Sequence, residues 1–136
     1  TFSHVAKNLD MKHVLVVHGD DGLDEISVTS ETSISELKDM QIKEYKISPT
    51  DFGLDFGTFE AITAQSSEES LKMVNEAFAG TKSSIQDMIA LNAGAALYIA
   101  NKVTSISDGV ELAFDLMNSG KAAEKLNAYV NASNNL

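Results

Sequence analysis

The spacing of apolar residues changes once along this chain, and that change constrains the fold more than any other feature. Up to about residue 65 the apolar residues alternate or run together as in strands. From Ser66 onward they recur at i, i+3, i+4 and i+7, as on one face of a helix. Val14-Leu15-Val16-Val17 is apolar on both faces, which is what a buried parallel strand requires, and His18-Gly19 closes it. Ile26-Ser27-Val28-Thr29 and Ile42 to Ile47 alternate like half-buried strands, the second stopped by Pro49. Ser33 to Met40 resembles a turn of helix, Phe2 to Asn8 the end of one, and Asp51 to Gly57 an ordered aromatic loop.

Beyond that point Ser66 and Glu69 have the spacing of a capping box, Leu71, Val74 and Phe78 share one face, and Gly80 follows as a C-terminal cap. Ser84 and Asp87 repeat the starting signal. The helix they open is nearly uncharged from Met88 to Ala100, so it should be buried on nearly all sides, with Asn92 and Tyr98 as its large polar interruptions. Val110, Ala113, Phe114 and Met117 mark a third helix, and Ala122, Leu126, Tyr129 and Val130 a fourth after Ser119-Gly120. Residues 131–135 should fray. No linker separates the two halves, and 136 residues suit one domain. The expected fold class is α/β, a partial mixed or parallel sheet with C-terminal helices. Val14 to Val17 needs neighbours on both sides and the chain offers few, so the sheet should be incomplete.

Twenty acidic residues face ten basic ones, a net charge of -10, and all ten are lysine. That excludes a nucleic-acid surface. It also removes the planar fork that captures phosphate in two places, leaving backbone amides, lysine or a bridging metal for any phosphate ligand. With no cysteine there are no disulfides, no thiol catalysis and no cysteine-ligated zinc, which fits a cytoplasmic protein. No apolar run approaches the ~20 residues of a membrane span, and the first residues are unlike a signal peptide. Thr1 in place of an initiator methionine is expected of a processed or excised chain.

Chemistry concentrates in four carboxylates within six residues, Asp20, Asp21, Asp24 and Glu25, directly after the first strand. Open α/β sheets bind ligands beyond the carboxyl ends of their strands, where this loop would lie. Mg2+ takes one or two carboxylates together with substrate phosphates and water, which the adjacent Asp24 and Glu25 could supply. The spacing is not that of an EF-hand, and a solvated acidic turn is the alternative reading. His18 has no evident partner that would make it a base, so a hydrogen-bonded structural role is expected. Asn92 reads as a satisfied core amide. No nucleophile motif or glycine-rich phosphate loop is present, and no catalytic residue is assigned.

The order of the motifs carries a resemblance. Val16-Val17-His18-Gly19 followed by Asp21-Gly22-Leu23-Asp24-Glu25-Ile26-Ser27 resembles the signature in the second half of the anthranilate phosphoribosyltransferases. Tyr45 to Leu54, with Pro49-Thr50-Asp51-Phe52-Gly53, is similar to the family segment ending in Pro-Glu-Asp-Phe-Gly, and Leu91 to Tyr98 to its Leu-Asn-Ala-x-x-Ala-Leu helix. Gly109 to Ala113 and Ser119 to Ala122 continue it nearly to the end.

The resemblance implies that residues 1–136 are the C-terminal portion of a phosphoribosyltransferase, nucleoside phosphorylase-like α/β domain. The N-terminal helical domain and first strands would be absent. It implies transfer of the phosphoribosyl group of phosphoribosyl pyrophosphate to anthranilate in tryptophan biosynthesis, with Mg2+ held by Asp24 and Glu25. The full-length protein would be a cytoplasmic homodimer with neither nucleic acid nor membrane as partner. His18 and Asp21 match motif positions without an assigned role. The family's Gly-Thr-Gly-Gly-Asp loop, its Lys-His-Gly-Asn-like segment and its anthranilate-binding arginine have no counterpart here, so the chain alone is expected to be inactive. A related phosphoribosyltransferase or nucleoside phosphorylase homologue with another acceptor, and a non-enzymatic interaction module, are the alternatives.

Overall fold

A computed structural model describes residues 2–135. Helix α1 (Phe2–Asn8) leads into a three-stranded sheet of β1 (His13–Gly19), β2 (Thr32–Lys38) and β3 (Gln41–Ile47). A single 3-10 turn (Pro49–Phe52) and the short α2 (Phe59–Ile62) follow, then α3 (Ser67–Phe78), α4 (Ser84–Ile99), α5 (Ile106–Asn118) and α6 (Lys121–Ser133).

The sheet is antiparallel throughout and ordered β1-β2-β3, with Val16 opposite Ser35 and Ser35 opposite Glu44. Three expectations change here. Val14 to Val17 is not an interior parallel strand but a half-buried edge strand, hydrogen-bonded on one side among the described residues. Its apolar character serves two covering layers rather than two flanking strands. Ser33 to Met40 is not helical but forms most of β2, whose hairpin to β3 turns through Asp39 and Met40 at φ 50° and 60°, the positive-φ pair of a tight two-residue turn. Ile26 to Thr29 is not a strand: side chains capture its backbone donors before a ladder can, Ile26 N–H donating to Asn92 Oδ1 and Ser27 N–H to Thr32 Oγ1. Ile26 and Val28 are nevertheless fully buried.

Directly opposed residues share a face, so the register sorts the sheet into two layers. Leu37 and Ser35 look towards α1, where the Ser3 and Ser35 hydroxyls meet at 2.7 Å. His13, Ile34, Glu36 and Tyr45 look the other way, towards α4. There Glu36, only 8% exposed, accepts from Tyr98 (2.9 Å), His13 Nε2 (2.9 Å) and Tyr45 (3.0 Å), and Lys38 donates to the Tyr98 hydroxyl. A carboxylate buried this far is tolerable only with such donors.

The helical half follows its sequence more closely. Ser66 caps α3 by accepting from Glu69 N–H. The cap of α4 is Ser83, one residue earlier than the Ser84 signal, because its hydroxyl reaches Gln86 N–H. Gly94 of α4 and Gly109 of α5 meet where the two helices cross, and a Cβ on Gly94 would stand 2.5 Å from Val110 N. The core gathers Ile26, Val28, Leu91, Val110, Ala113 and Met117. Contrary to expectation α4 is not covered all round: Ile89, Ala93 and Leu97 line an open apolar hollow of about 400 Å3 with Phe78, Leu116 and Met117. Residues 131–133, expected to fray, complete α6. No helix among the described residues is long and apolar enough to cross a membrane.

Candidate functional site

The acidic loop leaves the end of β1 and returns as β2, so its two ends are fixed by one ladder, Gly19 opposite Thr32. Within it the four carboxylates have different fates. Asp20 is drawn to Lys46 of β3 at 2.5 Å, and the same ammonium lies 3.3 Å from Glu31. The hydrogen bond from Lys46 holds the Asp20 carboxyl below its usual range.

Asp21 turns inward. Its carboxylate accepts from the Ser27 hydroxyl at 2.5 Å, from the Thr29 hydroxyl and from Leu23 N–H. Burial alone would raise its pKa, but those donors outweigh it and bring the value down to about 2. Gly19 makes room for it, since a Cβ there would lie 2.5 Å from Asp21 Oδ1. The role of Asp21 is therefore to shape the loop, a role that motif matching does not assign. The signal available in the sequence is an Asp-Gly pair followed by hydroxyl residues at Ser27 and Thr29.

Asp24 and Glu25 remain, both exposed, adjacent at the loop tip and without a hydrogen-bonded or ionic side-chain partner among the described residues. Behind them Asn92 of α4 grips Ile26, accepting from its N–H and donating to its carbonyl, each at 2.9 Å. The Asn92 Nδ2 also donates to Met88 O at 3.0 Å. Glu25 borders a hollow of about 380 Å3 lined by Val74, Ile85, Met88, Ile89 and Asn92.

The tip thus offers two free carboxylate groups among the described residues. Among the described residues no three His, Asp or Glu side chains converge as a complete metal cage. Two carboxylates with open space around them fit Mg2+, which dehydrates reluctantly and keeps positions for water and phosphate oxygen. His18 lies exposed at the end of β1, and its ring makes no hydrogen bond among the described residues, so it has neither the structural bond expected of it nor a partner that would make it a base.

Comparison with known proteins gives this geometry a context. Residues 1–123 match the glycosyl transferase family, a/b domain. Over 131 residues the chain is 42% identical to the anthranilate phosphoribosyltransferase of Vesicomyosocius okutanii, covering 96% of itself and 39% of that relative. It is 46% identical over 126 residues to the one from Leptothrix cholodnii, covering 93% of itself and 36% of the relative. The crystal structure of anthranilate phosphoribosyltransferase from Thermus thermophilus is 32% identical and superposes with a TM-score of 0.84, over 94% of this chain and 37% of that one. The Saccharomyces cerevisiae enzyme in complex with PRPP and Mg shares the fold at 20% identity and a TM-score of 0.86, over 99% of this chain and 39% of that one. The chain therefore spans well under half the length of these relatives, and by its match over residues 1–123 it belongs to the glycosyl transferase family through the a/b domain.

Proposed function

We propose that this chain forms the metal-holding wall of a phosphoribosyltransferase that transfers the phosphoribosyl group of phosphoribosyl pyrophosphate to anthranilate in tryptophan biosynthesis. The observation that carries this reading is the division of labour in the acidic loop. Asp20 and Asp21 are consumed by Lys46 and by hydroxyls, whereas Asp24 and Glu25 stand free side by side. Support comes from relatives named for that activity at 42% and 46% identity, and from the yeast relative's complex with PRPP and Mg.

A loop this acidic repels a bare pyrophosphate. Mg2+ held by Asp24 and Glu25 would supply the positive charge that stabilises the departing pyrophosphate. The chain's own contribution is to present the two carboxylates on a loop anchored at its ends by the β1–β2 ladder and at Ile26 by Asn92, with Lys46 cancelling the charge of Asp20. With no arginine available, the group that binds the anthranilate carboxylate and the remaining phosphate contacts would come from the part of the relatives' length this chain does not span. The full-length protein would work as a cytoplasmic homodimer. The net charge of -10 carried by these 136 residues is unsuited to a nucleic-acid partner.

The test is made in the full-length protein. Asp24→Asn combined with Glu25→Gln should lower phosphoribosyl transfer to anthranilate by about 100-fold or more while leaving the fold intact. Unchanged turnover and magnesium dependence in that double variant would overturn the assignment. Residues 1–136 alone should form no product, since lost positioning of two substrates removes ~7–11 kcal/mol of catalytic advantage.

A further inference from the structure

We infer that Asn92 is a positioning residue, whose two-point grip on the Ile26 backbone sets where the neighbouring Glu25 carboxylate stands. The inference rests on the metal role proposed above for Asp24 and Glu25, and it concerns a residue of α4, far from the acidic loop in sequence.

The geometry is that of a strand pair made by a side chain. The Asn92 Oδ1 accepts from Ile26 N–H and its Nδ2 donates to Ile26 O, both at 2.9 Å. The second Nδ2 hydrogen goes to Met88 O at 3.0 Å, one turn back on the same helix. Both amide hydrogens are then used, and the oxygen already holds a backbone donor, so little of the side chain is left for a ligand. Ile26 itself is 2% exposed and belongs to the same core cluster as Leu91 and Val110, so the grip and the core fix the same residue. Glu25 immediately precedes that fixed point and shares a peptide unit with it. Its backbone freedom is narrowed from that side, which lowers the entropy lost when it becomes a ligand. A hydrophobic residue at position 92 would pack as well in the hollow beside Glu25 but would leave the Ile26 N–H and carbonyl without partners. The amide is therefore specific to holding the loop.

The experiment reads Mn2+ binding to the full-length protein by the paramagnetic resonance of free Mn2+, with inorganic pyrophosphate present. Asn92→Ala and Asn92→Ser are compared with the parent. The serine variant keeps α4 satisfied, because its hydroxyl can donate to the Met88 carbonyl four residues back, yet it is too short to reach Ile26. Both should raise the Mn2+ dissociation constant by about tenfold, and both should speed hydrogen exchange at Ile26 N–H. A folded variant that exchanges faster at Ile26 but binds Mn2+ like the parent would overturn the inference, and so would failure of the serine variant to fold, which would make Asn92 a structural residue only. Asp24→Asn with Glu25→Gln serves as the reference. Parent-like Mn2+ binding in that reference would overturn the proposed function and this inference with it, whereas parent-like binding in the serine variant alone overturns only this inference.

Discussion

The hydroxyl of Tyr98, in the last turns of α4, donates a 2.9 Å hydrogen bond to Glu36 Oε1 in β2. The same hydroxyl accepts from Lys38, and His13 packs edge-on against the Tyr98 ring at 4.7 Å between centroids. A single phenol thus ties the helical layer to the sheet through a carboxylate that is almost entirely buried. Tyr98→Phe keeps the ring and removes the donor, so Glu36 loses one of three partners without gaining water. We expect a loss of about 1–3 kcal/mol in unfolding free energy by urea titration, more than an exposed tyrosine would cost.

The same network gives a pH dependence with a defined sign. Burial alone would raise the Glu36 pKa, but hydrogen bonds from Tyr98, His13 and Tyr45 outweigh it, and the folded value lies below the usual 4.5. A depressed carboxyl stabilises the fold above its unfolded pKa and loses that contribution as pH falls through the folded one. Above about pH 5 the gap in stability between parent and Tyr98→Phe should therefore be full. It should narrow as the solution is acidified below about 4.5. A gap that widens on acidification would contradict the ionised state assigned to Glu36.

Gly109 tests the packing of the helical half. A Cβ at this position would run into the Gly94 carbonyl oxygen of α4, which is backbone and cannot swing aside. Replacing glycine by alanine inside a helix otherwise stabilises by up to about 1 kcal/mol. Overpacking typically costs about 1–3 kcal/mol, and the rigid neighbour decides the sign. Gly109→Ala should lower the thermal midpoint, and a raised midpoint would show that α4 and α5 can separate freely.

These residues also show what the sequence could reveal. Helices α3 to α6 were legible because their caps and stripes are local: Ser66, Gly80 and the Val110, Ala113, Met117 face all act within a few residues. Strand β2 was not, because its inward row, Thr32, Ile34 and Glu36, contains a charged residue that is buried only by donors from β1, β3 and α4. Alternation cannot be seen when the third inward residue is a glutamate. Ile26 to Thr29 misled in the opposite sense, since its apolar and polar residues alternate while Ile26, Ser27 and Val28 are all buried, in a segment whose hydrogen bonds go to Asn92 and Thr32. At the candidate site the motif order singles out Asp24 and Glu25, and the structure leaves both exposed. The separate fates of Asp20 and Asp21 depend on Lys46 and on hydroxyls several residues away, which spacing alone does not place.

Asp21 supplies the last expectation. It accepts from two hydroxyls and a backbone N–H inside the loop, and Ser27, one of the donors, is 1% exposed. Asp21→Ala would remove the acceptor shared by the Ser27 and Thr29 hydroxyls, which would be left with only each other, 3.1 Å apart. The expected cost is about 1–3 kcal/mol, larger than for Asp20→Ala, whose exposed pair with Lys46 is screened by solvent. The two variants differ in acid as well. With a folded pKa near 2 against the usual 3.8, Asp21 contributes stability above about pH 4 that is lost between roughly pH 4 and pH 2. The stability of Asp21→Ala should consequently fall less steeply over that interval than that of the parent. Parallel acid titrations of parent and variant, followed by circular dichroism, would show instead that Asp21 is an ordinary solvated carboxylate and that some other contact shapes the loop.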